Sequence, residues 1–218
     1  EGEGEGEGEG EGDACLSTGS WTEVWSHSLT FSPSGSIVQN GFWNQQGAAS
    51  VNGKTCWQQM SDWNILWIPH PAADASRYAV EVEVHRPTSP SAISNYFAAN
   101  TEKSGYNDTL NSVQFSTAKE NLNLNISADP DGFSEDLSNQ AIRGSWHTWR
   151  IVIDKPTQTA AYYQNGELLA CKEIPSVSYA GSWIKLGSNG VYPSTAANAC
   201  WANMRVETPT VASLPDPP

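Results

Sequence analysis

Hydrophobic and polar residues alternate with a period of two in the clearest segments of this 218-residue chain. In residues 78–85, Val80, Val82 and Val84 fall on one side of an extended backbone and alternate with charged residues. Residues 146–154 show the same alternation, with apolar side chains at positions 149, 151 and 153. Because successive side chains of a β-strand point to opposite faces, both segments are predicted to be strands with one buried face.

From Trp21 onward, short runs rich in Val, Ile, Thr and aromatic residues are separated every 8 to 15 residues by clusters of Gly, Pro, Asn, Asp and Ser. This spacing is typical of an all-β antiparallel β-sandwich, and we predict a jelly roll of about 12 or 13 strands. The predicted strands are residues 22–31, 36–43, 55–59, 64–68, 77–86, 93–99, 112–117, 122–126, 146–154, 159–165, 167–174, 182–188 and 198–207. Only residues 134–142 permit a short helix.

One turn is predicted together with its conformation. Asn165-Gly166 separates the strand-like residues 160–164 from residues 167–171. A two-residue type I′ turn needs positive φ at both central positions, which Asn and Gly adopt most readily. The pair therefore predicts a tight β-hairpin.

Composition divides the chain into three parts. Residues 1–12 are a strict Glu-Gly alternation, which has no apolar side chain to bury and cannot order itself in isolation. Residues 13–207 form a single predicted β-sandwich domain, and residues 208–218 are a Pro-rich tail. We interpret the Glu-Gly run as a linker or stalk, whereas its ordered contact with a neighbouring subunit would indicate self-assembly into a fibre.

The charge and hydropathy of the chain exclude several classes of partner. The net charge is −13, and six of the 24 acidic residues lie in the Glu-Gly run, which leaves 18 acids and 11 bases elsewhere. Nucleic acid and anionic membranes are therefore not expected as partners. No apolar stretch approaches the roughly 18 to 20 residues that cross a bilayer, and no signal-peptide core is present, so we expect a mature fragment or an ectodomain. Motifs for nucleotide binding and for serine hydrolases are also absent from the sequence.

The cysteines indicate an oxidising compartment. Cys15, Cys56, Cys171 and Cys200 are widely spaced and form no C-x-x-C pair, which favours two disulfides over zinc or thioredoxin chemistry. Four cysteines allow three connectivities, and the sequence does not choose among them. The preferred pairs are Cys15 with Cys56 and Cys171 with Cys200, because the last two lie in strand-like segments near the C-terminus. The sequons at Asn107 and Asn125 also fit a secreted or cell-surface protein.

The order of motifs in residues 144–206 resembles that of laminin-G-like and concanavalin A-like lectin and glucanase domains. The motifs are Gly-Ser-Trp-His-Thr-Trp-Arg-Ile-Val-Ile-Asp at 144–154, Tyr-Tyr-Gln-Asn-Gly at 162–166, Trp-Ile-Lys-Leu-Gly at 183–187 and the closing strand at 199–206. Residues 78–86 resemble an early core strand of that superfamily. The resemblance implies a concanavalin A-like sandwich and says little about function, because these motifs encode strand packing and turns.

Enzymes of the resembled superfamily cleave polysaccharides with two carboxylates on one strand of a concave sheet. The resemblance therefore makes Glu81, Glu83 and His85, which share one face of a strand, the candidate catalytic residues. The superfamily pattern Glu-x-Asp-x-x-Glu carries a third carboxylate that this chain lacks. The alternative is a solvated outer strand face whose charges discourage pairing at a sheet edge.

An acidic segment at residues 129–136 is a candidate calcium site. It carries Asp129, Asp131, Glu135 and Asp136 around a turn-forming glycine, and carboxylate oxygens are the ligands that Ca²⁺ prefers. The spacing is not that of an EF-hand. Calcium binding on loops of the resembled superfamily supports this expectation, and a plain acidic turn is the alternative.

Aromatic residues near predicted loops are candidates for stacking on sugar rings, which have apolar faces and polar edges. These residues are Trp57, Trp63, Trp67, Tyr96, Tyr106 and Trp183. Trp63 and Trp67 are four residues apart, so they share a face if the segment is a strand. We choose Trp63, Trp67, Tyr96 and Trp183 as the predicted ligand-binding residues, although a sandwich core also requires large rings.

The leading hypothesis is a non-catalytic, lectin-like extracellular recognition domain that binds a glycan or a protein partner. Ca²⁺ is its candidate cofactor, and the sequence indicates no other. The first alternative is a polysaccharide hydrolase or lyase that uses Glu81 and Glu83. The second is a structural subunit of an extracellular fibre or adhesin, which an ordered Glu-Gly run would favour.

Overall fold

The computed structural model describes residues 20–39, 49–58, 64–88, 95–104, 108–117, 124–129, 133–137, 143–175, 177–187 and 199–210. Within these ranges the chain forms fifteen β-strands and no helix. The strands are β1 (Trp21–His27), β2 (Ile37–Gln39), β3 (Ala49–Val51), β4 (Lys54–Gln58), β5 (Ile65–Pro69), β6 (Arg77–His85), β7 (Asn95–Ser104), β8 (Asp108–Thr117), β9 (Leu124–Asp129), β10 (Phe133–Leu137), β11 (Trp146–Asp154), β12 (Thr159–Gln164), β13 (Glu167–Glu173), β14 (Trp183–Gly187) and β15 (Cys200–Pro209).

The strands form two antiparallel sheets that pack face to face, which confirms the predicted all-β sandwich. The eight-stranded sheet has the order β13-β12-β11-β6-β15-β4-β3, and β1 pairs with the second half of β15. The seven-stranded sheet has the order β10-β9-β8-β7-β14-β5-β2. The two strands beyond the predicted number are β3, which has only three residues, and β10.

Period-two alternation builds the core as predicted. Val80, Val82 and Val84 are at most 1% exposed and lie in one cluster with inward residues of both sheets. Four fully buried rings join the two layers. Phe115 of the seven-stranded sheet lies 5.5 Å from Trp149 and 5.3 Å from Tyr162, both of the eight-stranded sheet, measured between ring centroids. Trp149 in turn makes an edge contact with Trp201 at 5.9 Å.

The β12–β13 hairpin has the predicted turn. Asn165 has φ 53° and Gly166 has φ 83°, which are the two positive values that a type I′ turn requires. The Asn165 side chain also fixes the hairpin against β11, because its Oδ1 accepts a hydrogen bond from the Thr148 amide at 2.9 Å.

The prediction of a short helix at residues 134–142 is wrong for the residues of this segment that the structure describes. Residues 133–137 form β10, which pairs with β9 from Phe133↔Ala128 to Leu137↔Leu124. A single helical turn in this polar segment would be marginal, whereas pairing satisfies the open edge of β9 and lets Leu137 pack against the core. Residues 138–142 lie outside the described ranges.

Both preferred disulfide pairs are wrong. Cys56 is bonded to Cys200, with their Cα atoms 5.6 Å apart. The register explains this pairing, since β4 lies beside the start of β15 with Trp57 opposite Trp201. Cys171 lies on β13, four strands away from β15 in the same sheet, which is roughly 19 Å and too far for a bridge to Cys200. Cys171 is nevertheless disulfide-bonded, and Cys15 lies outside the described residues.

Candidate functional site

The outward side of β8, β9 and β10 carries short, mostly uncharged polar side chains. The core takes Phe115, Leu124 and Ile126 from these strands, so the residues that alternate with them point away from it. The register aligns them in two rows across the strands, Gln114–Ser127–Ser134 and Ser116–Asn125–Asp136. We call these six residues the hydroxyl–amide face.

Side-chain hydrogen bonds hold this face in one arrangement. Gln114 Nε2 donates to Ser127 Oγ at 3.0 Å, and Asn125 Nδ2 donates to Ser134 Oγ at 2.8 Å and to Asp136 Oδ1 at 2.9 Å. Gln114 Oε1, in contrast, is a buried acceptor without a hydrogen-bond partner. The hydroxyl–amide face is therefore preorganised and retains unused hydrogen-bonding capacity.

Strand β9 is also anchored from the core side. The Tyr162 hydroxyl, which belongs to the opposite sheet, donates a hydrogen bond to the Ser127 carbonyl oxygen at 3.3 Å. Burial raises the pKa of Tyr162, so this hydroxyl keeps its proton and remains a donor. The backbone below the hydroxyl–amide face is thus fixed to the second layer of the sandwich.

The same side of the seven-stranded sheet continues into an aromatic–lysine cluster, which consists of Trp67, Tyr96 and Lys185. Lys185 Nζ lies 5.3 Å from the ring centroid of Trp67 and 5.8 Å from that of Tyr96. Trp67 and Lys185 are fully buried, whereas Tyr96 is half-buried. Two facing rings compensate part of the cost of burying an ammonium group. In the register, Lys185 and Gln114 both lie opposite Ala98, so the cluster adjoins the hydroxyl–amide face.

The structure brings three of the four predicted ligand-binding residues to this side of the sheet. Trp67 and Tyr96 belong to the aromatic–lysine cluster, and Trp183 is two residues from Lys185 on β14 and half-buried. Trp63 lies outside the described residues, as does Tyr106. Trp57 packs in the core. Because Trp67 is fully buried, Tyr96 and Trp183 are the predicted rings that retain exposed surface.

Glu81, the first candidate catalytic residue, lies on the outer side of the eight-stranded sheet and is fully engaged in ion pairs. Its Oε1 is 2.7 Å from Arg205 Nη2, and its Oε2 is 3.5 Å from Arg150 Nη1. Arg150 also pairs with Glu207. The carboxylate is thus held by two guanidinium groups in a network that spans β11, β6 and β15.

Glu83 and His85 also have partners, of which only that of Glu83 is an ion pair. Glu83 Oε2 is 2.6 Å from Lys54 Nζ and accepts a hydrogen bond from Asn203 Nδ2 at 2.6 Å. His85 lies against the Trp146 ring at 5.5 Å, and burial lowers its pKa. The expectation that these charges protect a sheet edge is wrong, because β6 lies in the interior of the sheet between β11 and β15.

The residues of the predicted calcium site are distributed over different elements. Asp129 ends β9, and Asp131 lies outside the described residues. Glu135 and Asp136 are neighbours on β10, so their side chains point to opposite faces. Glu135 pairs with Lys172 at 2.9 Å, and Asp136 accepts from Asn125. Within the described ranges no three His, Cys, Asp or Glu residues group closely enough to hold a metal, and calcium binding stays a prediction.

Sequence reasoning missed Lys185 and the hydroxyl–amide face. The alternation Val-Gln-Phe-Ser at 113–116 and Leu-Asn-Ile-Ser at 124–127 is visible in the sequence and marks uncharged polar outer positions. It does not show that the two segments are neighbours with Gln114 opposite Ser127.

No family model matches this sequence, and no curated protein does so either. Among solved structures, the chain is similar to the CBM2 module of the evolved Dit of Lactobacillus casei BL23 phage J-1, with 11% identity, coverage of 89% of this chain and 98% of that one, and a TM-score of 0.53. It is similar to an endo-1,3-β-glucanase from Streptomyces sioyaensis, with 11% identity, 88% and 97% coverage and a TM-score of 0.54. The binding domain of botulinum neurotoxin serotype D has 10% identity, 84% and 47% coverage and a TM-score of 0.56. At these identities the similarity shows the fold alone.

Proposed function

We propose that this domain is a non-catalytic extracellular recognition module that binds a glycan through the hydroxyl–amide face. The observation that carries the proposal is the pair of cross-strand rows, which present two amides and three serine hydroxyls with a single carboxylate. Uncharged donors and acceptors at fixed spacing match the vicinal hydroxyls of a sugar. Charged partners such as nucleic acid require a different surface.

The arrangement lowers the cost of binding. The side chains of the hydroxyl–amide face are hydrogen-bonded to one another, so they lose little rotamer freedom when a ligand binds. Gln114 Oε1 is buried, so we place the ligand hydroxyls at Ser134 and Asp136, which are exposed on the same face. Tyr96, half-buried at the border of the face, supplies an aromatic surface for a sugar ring.

Two further observations support the proposal. The structures of similar fold include a carbohydrate-binding module and a glucanase by their names. The Cys56–Cys200 bridge and the second bridge at Cys171 are typical of oxidising compartments and support an extracellular location. A separate finding is that no helix in the described part of the chain is long and apolar enough to cross a membrane.

The test is a glycan array followed by calorimetric titration of the best ligand. The protein is made in a bacterial host, so that the sequon at Asn125 remains unmodified. Asn125→Ala removes the side-chain amide that donates to Ser134 and Asp136, and it is expected to weaken binding by about tenfold or more. Thr148→Ala, on the outer side of the other sheet, is the matched control and leaves the affinity unchanged. Unaltered binding by both variants would overturn the proposed site.

The hydrolase or lyase alternative is less well supported, because Glu81 and Glu83 are both neutralised by basic side chains. Release of reducing sugar from a polysaccharide panel by the wild-type domain, abolished in Glu81→Gln/Glu83→Gln, would favour this alternative over the proposed function. A fibre is tested by sedimentation of the full chain, in which a monomer argues against self-assembly.

A further inference from the structure

A polar groove of about 280 Å³ lies where β1 pairs with β15, on the sheet opposite to the hydroxyl–amide face. Polar side chains of the two strands and of the residue that follows β1 line it: Glu23, Ser26, His27, Ser28, Asn203 and Arg205. None of these residues belongs to the site proposed above.

The backbone around this groove departs from regular strand geometry. The β1–β15 ladder contains a bulge between Glu23 and Trp25, and β15 shifts register against β6 between Ala202 and Arg205. Leu29 and Asn203 have φ values of 58° and 43°, which non-glycine residues rarely adopt. The Asn203 backbone N–H donates a hydrogen bond to the Ser28 carbonyl oxygen at 3.3 Å, and this bond joins the two irregular segments. Bulges and backbone strain of this kind concentrate at functional sites.

His27 presents a hydrogen-bond donor that has no acceptor. The Leu29 backbone amide donates to His27 Nδ1 at 3.0 Å, so Nδ1 is the unprotonated nitrogen of the ring. Burial lowers the pKa of His27, so at neutral pH the ring is uncharged and its proton is on Nε2. Nε2 is buried and makes no hydrogen bond within the protein. A ligand oxygen would satisfy this N–H group.

An exposed aromatic ring lies beside this donor. Phe31 is 61% exposed, and its ring contacts the His27 ring edge to face at 4.5 Å. Trp25 stacks on the His27 ring at 5.9 Å. A large apolar ring that remains this exposed next to polar groups is the kind of surface on which a sugar ring stacks.

The charges of the groove favour an uncharged ligand. Arg205 and Glu23 supply one cation and one anion to its lining. Arg205 pairs with Glu81 through Nη2 at 2.7 Å and with Glu207 through Nε at 3.5 Å, and its side chain is 43% exposed, so Nη1 remains available as a donor. Neither sign of charge is in excess among these groups, and together they offer donors and an acceptor for hydroxyl groups.

We propose that this groove is a second saccharide site, which takes one uncharged hexose unit with its ring on Phe31 and its hydroxyls on His27 Nε2, Arg205 and Glu23. The proposal rests on the proposed glycan-recognition function and makes the domain bivalent. Since the two sites lie on opposite sheets, one domain would bridge two glycan chains.

The experiment uses the methyl glycosides of glucose, galactose and mannose and of N-acetylglucosamine as probes, with saturation-transfer NMR on the full chain. Phe31→Ala is expected to weaken binding of at least one probe by about tenfold, which corresponds to about 1.4 kcal/mol. Phe31→Trp keeps a stacking ring and retains binding. Val24→Ala is the control, because Val24 is an exposed apolar residue of β1 that does not line the groove.

Asn125→Ala separates this site from the hydroxyl–amide face. Loss of probe binding in Phe31→Ala but not in Asn125→Ala supports the groove. Loss in Asn125→Ala with none in Phe31→Ala overturns the groove and leaves the proposed function standing. Absence of binding of every probe at about 50 mM also overturns it, since that limit excludes even very weak affinity. Thermal unfolding of each variant shows whether it is folded.

Discussion

Removal of the Cys56–Cys200 disulfide tests the strand register of the eight-stranded sheet, to which the groove between β1 and β15 belongs. The bridge fixes β4 beside the start of β15, near the β3 end of the eight-stranded sheet, and both residues are fully buried. Cys56→Ala/Cys200→Ala removes both thiols together, because a single remaining thiol would exchange with the bridge at Cys171.

The expected loss of stability follows from the length of the closed loop. The two cysteines are 144 residues apart, for which chain-entropy theory gives about 5 kcal/mol. The second bridge remains in the unfolded chain and already restricts it, so we expect a loss of about 2 to 5 kcal/mol. For a domain of this size, this corresponds to a decrease in Tm of about 5 to 15 °C.

Differential scanning calorimetry and urea unfolding measure this loss, and the urea m-value should increase because the unfolded chain becomes more expanded. Thr55→Ala, an exposed neighbour on β4, is the control and should change the stability little. An unchanged Tm in the double variant, or a peptide map in which Cys56 is linked to a cysteine other than Cys200, would refute the register.

Three further predictions concern single residues. Burial lowers the pKa of His70 from 6.5 to about 4, so as the pH falls from 6.5 to 4 the unfolded chain takes up a proton before the folded one and the unfolding free energy decreases by about 3 kcal/mol. In urea unfolding at pH 6.5 and at pH 4, His70→Asn should lack this part of the decrease. The same decrease in the wild type and the variant would contradict the prediction. Glu81→Gln keeps an acceptor oxygen but removes the negative charge that pairs with Arg205 at 2.7 Å, and it should cost about 1 to 2 kcal/mol of unfolding free energy. No change in unfolding free energy would count against a structural ion pair. Gly187→Ala places a Cβ 2.1 Å from the Asn64 carbonyl oxygen and should lower the unfolding free energy by about 3 kcal/mol or more. Gly53→Ala, where nothing obstructs the Cβ, is the control and should lower it by about 1 kcal/mol. Equal Tm values for the two variants would be inconsistent with this packing.

The elements that the sequence predicts well are those that local pattern determines. β6 and β11 have the expected alternation, and their inward residues fill the core. The β12–β13 turn was predictable because only a few residue types tolerate positive φ at two successive positions. β3 was missed because three residues carry too little periodicity to be recognised.

The disulfide could not be predicted because it depends on which strands are neighbours. Cys171 and Cys200 are close in sequence but four strands apart in the sheet, whereas Cys56 and Cys200 are distant in sequence and adjacent in the fold. β10 was missed for the same kind of reason. Its sequence has little strand propensity, and the open edge of β9 decides its conformation.

The candidate site was predictable only in part. Trp67, Tyr96 and Trp183 were chosen from the sequence because they are aromatic, and in the structure they share one side of a sheet. Their partner Lys185 is fully buried, which residue type alone argues against. The hydroxyl–amide face exists only through the register of three strands, and a single sequence does not contain that register.

The binding surface itself is tested most directly by an amide-resolved NMR titration of the wild-type domain with the saccharide that the array selects. We predict saturable shifts of the backbone amides of β8 and β9, centred on Gln114, Ser116 and Asn125, with one dissociation constant for all of them. Shifts that leave these strands unchanged while the glycan binds elsewhere would contradict the assignment of the hydroxyl–amide face as the recognition surface.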